Sequence, residues 1–149
     1  MNITKLVTEL RKSTGLGIAQ CSKLLKENGG DIDKAILAST DLVGRKIERM
    51  QNRQSGSGRV FSYIHTGGKK GAMVHLFSET DFVSNTEEFS KLGNDLVLHI
   101  VAMEPKTVEE LVDQPFVRDG FVKVNEMIRS LQVKVGEKIE VKNFSIFGN

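Results

Sequence analysis

The sequence is short of cysteine, of net charge and of long apolar runs, and each shortage removes a class of protein. A single cysteine, Cys21, excludes an internal disulfide and a cysteine-based zinc cluster. A net charge of +2 over 149 residues argues against the concentrated basic face of a dedicated nucleic-acid binder. No apolar run approaches the roughly 20 residues that span a bilayer. The opening Met1-Asn2-Ile3-Thr4 reads neither as a secretion signal nor as an Arg-rich transit peptide. A cytoplasmic protein, or the mature form of an organellar one, is the expectation.

The sequence also lacks the patterns of an active site. His65, His75 and His99 show no tight metal-ligand spacing and are expected to be packed or solvent-facing, so no metal and no cofactor is expected. His65, close to a hairpin tip, is the histidine to test as a partner contact. Cys21 reads as a small buried hydrophobe with no activating base beside it. Thr66-Gly67-Gly68-Lys69-Lys70-Gly71 only faintly suggests a phosphate loop; a strand follows where a helix is needed, which favours a hairpin turn. Arg11, Lys12 and Lys23, with Arg45, Lys46, Arg49 and Arg53, read first as solvated charge.

What is present is 39% apolar and 27% charged residues, enough for a core beneath an ordinary surface. Three short amphipathic helices are expected over residues 1–50. The first runs from Ile3 to Thr14, capped by Thr4 or Asn2 and stopped at Gly15. The second runs from about Ile18 to Asn28, with Ile18, Cys21, Leu24 and Leu25 on one side. The third is capped by Asp31 and turns Ile32, Ala35, Ile36, Ser39, Val43, Ile47 and Met50 inward. Residues 51–58 are polar and rich in glycine and serine, and read as a flexible linker. Residues 59–149 change period. Strands at Arg59–Thr66 and Ala72–Phe77 form a hairpin. The motif Ser84-Asn85-Thr86-Glu87 has the form of a capping box. It opens a helix that buries Phe89, Leu92, Leu96, Ile100 and Met103, with Gly93 on the same stripe, and Pro105 ends it. A further helix carries Val124, Met127, Ile128, Leu131 and Val135. The last strand, Lys138–Phe147, changes phase after Val141, which predicts a β-bulge at Lys142-Asn143. The fold class is α+β: a three-helix bundle, then a small antiparallel three-stranded sheet with helices on one face.

The chain is organised around Ser78-Glu79-Thr80-Asp81-Phe82-Val83-Ser84, where a strand gives way to a helix. An aromatic ring on so short a connection either folds back into the core or is presented to something. The residues alone leave both open, and point to a binding protein whose partner they do not name.

Several segments together resemble the translation elongation factor Ts family, the nucleotide-exchange factors of elongation factor Tu. They are Val7–Gly17 with Cys21 and Leu24; Asn28–Ala35; Glu79-Thr80-Asp81-Phe82-Val83 with Glu87-Glu88-Phe89; His99–Pro105; Gln114-Pro115-Phe116-Val117; and Val135-Gly136-Glu137-Lys138-Ile139. The resemblance runs nearly end to end. It implies a ubiquitin-associated-like (UBA-like) first domain and a guanine-nucleotide exchange factor with no catalytic chemistry of its own. It also implies that Thr80, Asp81, Phe82 and Val83 meet the partner's nucleotide-binding domain, and that Arg11, Ile18 and Ala19 stand at contact positions of the first domain. Longer members carry two core subdomains and a helical insertion, whereas the segment between Pro105 and Gln114 is very short here, so a homodimer is expected. Ser22 stands where the family is commonly basic, and Ala19-Gln20 where Met-Asp is commoner, which implies a weaker or rearranged first-domain contact. No C-terminal partner-binding module is expected after Asn149. The rival reading is an adaptor or holding chaperone that binds Tu without speeding release. A third, an RNA-binding module using Arg45–Arg53, is opposed by the low net charge.

Overall fold

A computed structural model describes residues 2–148. Leu6 and Leu10 lie one helical turn apart, and with Leu16, Cys21, Leu25 and Ala35 they form an apolar centre enclosed by three helices. These are α1 (Ile3–Thr14), α2 (Ile18–Glu27) and α3 (Ile32–Met50). Asn2 caps α1 by accepting from the Thr4 amide, Asp31 caps α3 by accepting from the Lys34 amide, and Gly15 ends α1 in the left-handed conformation. Two inward assignments are corrected. Ile18 is 62% exposed, because the buried Leu16 already fills the inner side at the start of α2, and Ile36 lies at the exposed margin of α3.

The second half begins with β1 (Ser57–Ile64) and β2 (Lys70–Ser78) and closes with β5 (Glu140–Gly148). They form an antiparallel sheet in the order β1-β2-β5. Strand β1 starts at Ser57, inside the stretch read as linker, because Ser57 pairs with Ser78. Earlier residues of that stretch are tethered as well. Arg53 donates to the Gly136 carbonyl at 3.0 Å, and the Ser55 hydroxyl bonds to Glu140. The β2–β5 register slips between His75, opposite Asn143, and Leu76, opposite Val141. Lys142 is therefore the extra residue of a bulge, as the change of phase requires.

Phe61, Ala72, Val74, Leu76 and Val141 line the inner face of the sheet. Against it lie α5 (Glu87–Met103) and α7 (Val124–Val135), contributing Phe89, Leu92, Leu96, Ile100, Val124, Ile128 and Leu131. Gly93 sits directly over the Phe61 ring, where a β-carbon would overlap it. Met103, expected inside, is exposed at the last turn of α5. Between the two helices come α6 (Val108–Asp113) and a small hairpin, β3 (Pro115–Phe116) and β4 (Asp119–Lys123). The hairpin was not expected, because its strands are too short to show an alternating pattern.

The capping box is also corrected. Ser84 is the last residue of a single helical turn, α4 (Asp81–Ser84), and its hydroxyl bonds to Ser57. Thr86 caps α5 instead, accepting from the Phe89 amide at 3.3 Å.

The three-helix bundle rests on α7. Val133 of α7 belongs to the bundle's apolar centre, and the Ser130 hydroxyl donates to the Lys12 carbonyl at 2.8 Å.

Candidate functional site

The corner after β2 is fixed at both ends. On entry, the buried Ser78 donates through its hydroxyl to the Thr80 carbonyl at 2.7 Å. The Thr80 amide and hydroxyl both donate to the Glu137 carboxylate, at 3.1 and 2.6 Å. On exit, Arg59 donates to the Ser84 carbonyl at 3.0 Å, and the Thr86 hydroxyl to the Val83 carbonyl at 2.7 Å. Val83 turns its side chain into the core and anchors the turn from below.

Asp81 and Phe82 are left outside. Phe82 is 84% exposed, so the ring does not fold back into the core. Leaving such a side chain in water forgoes about 1.5–3 kcal/mol of burial.

The other expected site residues divide into two groups. Ile18 and Ala19 are exposed at the start of α2. Arg11 is half-buried, and its Nε donates to the Leu16 carbonyl at 3.3 Å, so it also holds the turn between α1 and α2. That turn meets α7 through Gly15, which lies against the Ser130 carbonyl, and α7 leads into Gly136-Glu137 beneath Thr80. One helix therefore supports both the bundle's turn and the Phe82 corner. His65 stands apart. It follows β1, whose first residue Ser57 faces the corner, so the strand places them about 26 Å apart at the usual rise per residue. Its Nδ1 meets the Tyr63 hydroxyl at 3.0 Å.

Sequence reasoning missed Glu137, Glu79 and Arg53. The first two stand in motifs that carry the resemblance, but nothing local in either motif says that one grips the other. It also missed Phe121, which is fully exposed on the β3–β4 hairpin.

His99 secures that hairpin to α5. Its Nδ1 accepts from the Val117 amide at 3.1 Å, its Nε2 meets Gln114 Oε1 at 2.9 Å, and its ring stacks on Phe116. Accepting at Nδ1 requires the neutral ring. Burial pushes the pKa of His99 below the ordinary histidine value of 6.5, and the Gln114 bond opposes this only partly. Below that value the unfolded chain takes up a proton that the folded chain refuses, so stability falls with pH. Melting temperature should drop between about pH 7 and about pH 5.5, and the drop should be shallower in His99→Gln, which cannot titrate. An equal slope in both proteins would contradict this role. Cys21 is fully buried, and burial pushes its thiol pKa up, which leaves it a packing residue.

Among the described residues, no cluster of three or more His, Cys, Asp or Glu side chains could hold a metal ion, and no helix is long and apolar enough to cross a membrane. The fold and the corner define a class: a two-part α+β protein with an exposed acid–aromatic pair on a turn held at both ends.

Comparison with known proteins gives the family. The family model described as elongation factor TS matches residues 79–149. Elongation factor Ts of Thermosipho melanesiensis is 32% identical over 96% of this chain and 96% of its own. That of Rippkaea orientalis is 34% identical over 96% of this chain and 76% of its own, and that of Clostridium acetobutylicum 36% over 96% and 46%. The chain belongs to the elongation factor Ts family, and its role is in translation elongation. The first alignment runs over 188 positions, more than the 149 residues here, so that relative carries residues within the match that this chain lacks.

Proposed function

We propose that this chain binds elongation factor Tu in the cytoplasm and promotes the release of GDP from it. The observation that carries this reading is the exposed Asp81-Phe82 pair on a turn fixed at both ends. A rigid ring loses little conformational freedom on docking, so its contact energy goes into displacing whatever it presses against. If that is the part of Tu that grips the nucleotide, the conformer that grips weakly is selected and GDP leaves. No bond is made or broken; the work is conformational coupling. Ile18 and Ala19 on the bundle provide a second contact, and Arg11 shapes it through the Leu16 carbonyl.

The test is release of labelled GDP from Tu with and without this protein, alongside sizing of the mixture. Saturable acceleration is expected. A stable complex with no change in rate would replace this reading with that of an adaptor.

We also propose that two copies associate through the open face of the sheet. Ile64, Gly71 and Phe147 are paired in one row across the three strands, with Met73 two rows on and Val60 two rows beyond it, on the same face. All four side chains are exposed, forming an apolar face with no helix over it. The chain spans less than half of the Clostridium relative, and a second copy would supply an additional core. Ile64→Lys should shift the protein from dimer to monomer in sedimentation or light scattering and remove the dependence of its melting temperature on protein concentration. A monomeric wild-type protein at all concentrations would contradict the dimer.

A further inference from the structure

We infer that Glu137 is a positioning residue for the Asp81-Phe82 corner, and that it acts through a reciprocal brace between two segments distant in sequence. This rests on the exchange reading above. The brace has two matched halves. Glu137, just past the left-handed Gly136 that ends α7, accepts from the Thr80 amide and hydroxyl. Glu79, next to Thr80, accepts in return from the Lys138 amide at 2.7 Å. Each segment thus gives a carboxylate to the other's backbone. Arg53 closes the brace from the segment after α3, donating to the Gly136 carbonyl at 3.0 Å and lying 3.4 Å from Glu79 Oε1.

The local helix rules show that the bond to Glu137 is not incidental. Thr80 is the N-cap of α4, and a threonine there ordinarily turns its hydroxyl onto the helix's own free amides. Here the cap makes no such bond. The hydroxyl goes to Glu137 instead, in a short charge-assisted contact. The turn gives up its own cap to be held from outside. Holding Thr80 fixes where the turn starts, and Val83 in the core fixes its roll, so the direction in which Phe82 leaves the backbone is set. Without Glu137, the hydroxyl is free to cap the turn, and the corner gains a second arrangement in which the ring points elsewhere.

The role is one of aiming rather than binding. Glu137→Ala should lower the saturating rate of GDP release from Tu by about tenfold, with a smaller change in the concentration giving half-maximal rate, since the bundle still docks. Thr80→Ser, which keeps the hydroxyl, should leave exchange of the Ser84 and Asn85 amides at the wild-type rate, whereas Thr80→Val should speed it. The double variant Thr80→Val/Glu137→Ala should be no slower than the worse single one, because Glu137→Ala already removes the hydroxyl contact that Thr80→Val removes. Amide exchange gives a readout independent of Tu. The Ser84 and Asn85 amides close α4 onto Thr80 and Asp81, and they should exchange about tenfold faster in Glu137→Ala, with the middle of α5 unchanged. Wild-type exchange at these amides in Glu137→Ala, or fully additive losses in the double variant, would overturn the brace. If the wild-type protein leaves GDP release unchanged, the exchange reading fails, and the amide measurement alone decides whether Glu137 holds the corner.

Discussion

Phe82→Ala is expected to reduce the saturating rate of GDP release by tenfold or more while leaving the melting temperature where it was. The two halves of this result have different causes. The ring is 84% exposed and contributes almost nothing to the core, so its removal should not unfold the protein. Truncating a central aromatic at a protein interface commonly loses about 2 kcal/mol or more, which is about thirtyfold in an equilibrium constant. If the ring is the group that disturbs the partner's grip, that loss appears in the release rate and not only in affinity. Phe82→Leu should keep part of the effect, since it retains apolar bulk but not the flat ring. A Phe82→Ala protein that releases GDP at the wild-type rate would move the contact elsewhere, with the fully exposed Phe121 the next ring to test.

The second large effect is on the joint between bundle and core. Gly15 has a φ of 70°, and a β-carbon there would run into the Ser130 carbonyl and approach the Lys134 amide at 3.1 Å. Gly15→Ala meets two penalties: about 1–2 kcal/mol for an L-residue in the left-handed region, and about 1–3 kcal/mol for overpacking against backbone that cannot yield. Together these are enough to lift α1 from α7. The expected result is a melting temperature lower by about 10 °C or more, with the Val133 contact opened and the bundle's centre loosened. Exchange of the amides around Ser130 should rise. Gly29→Ala is the control: it has a similar φ of 66° but nothing within 4 Å, so only the conformational penalty applies. Equal destabilisation by the two substitutions would mean that the joint contributes little.

How far the fold could be read ahead depended on how far along the chain each signal reaches. Caps and stops act over three or four residues. Asp31 and Gly15 therefore marked their helix ends correctly, of Thr4 and Asn2 the structure takes Asn2 as the cap of α1, and the phase change at Lys142 located the bulge. The Ser84 cap failed for the same reason. Two overlapping start signals, Thr80 and Thr86, bracket one turn, and only the pairing of Ser84 with Ser57 shows which of them belongs to the long helix. Ile18 fitted the apolar stripe of α2 by spacing, but the stripe does not reveal that Leu16 has already closed that end.

The site divides similarly. The motif around Phe82 stood out because an aromatic on a short polar connection is unusual. Whether the ring points outward depends on Thr80 meeting Glu137, which lies 57 residues further on. The separation of His65 from the corner likewise follows from strand direction, which the motif alone does not carry.

The account depends on antagonism: this protein and GDP must each weaken the other's hold on Tu. The most direct test is calorimetric titration of the wild-type protein into nucleotide-free Tu and into GDP-loaded Tu. Linkage requires the ratio of the two affinities to equal the factor by which this protein weakens GDP binding, typically about 5–150-fold. The expected result is tighter binding to empty Tu by such a factor, with the difference shrinking in Phe82→Ala. Equal affinity for the two forms would contradict the account.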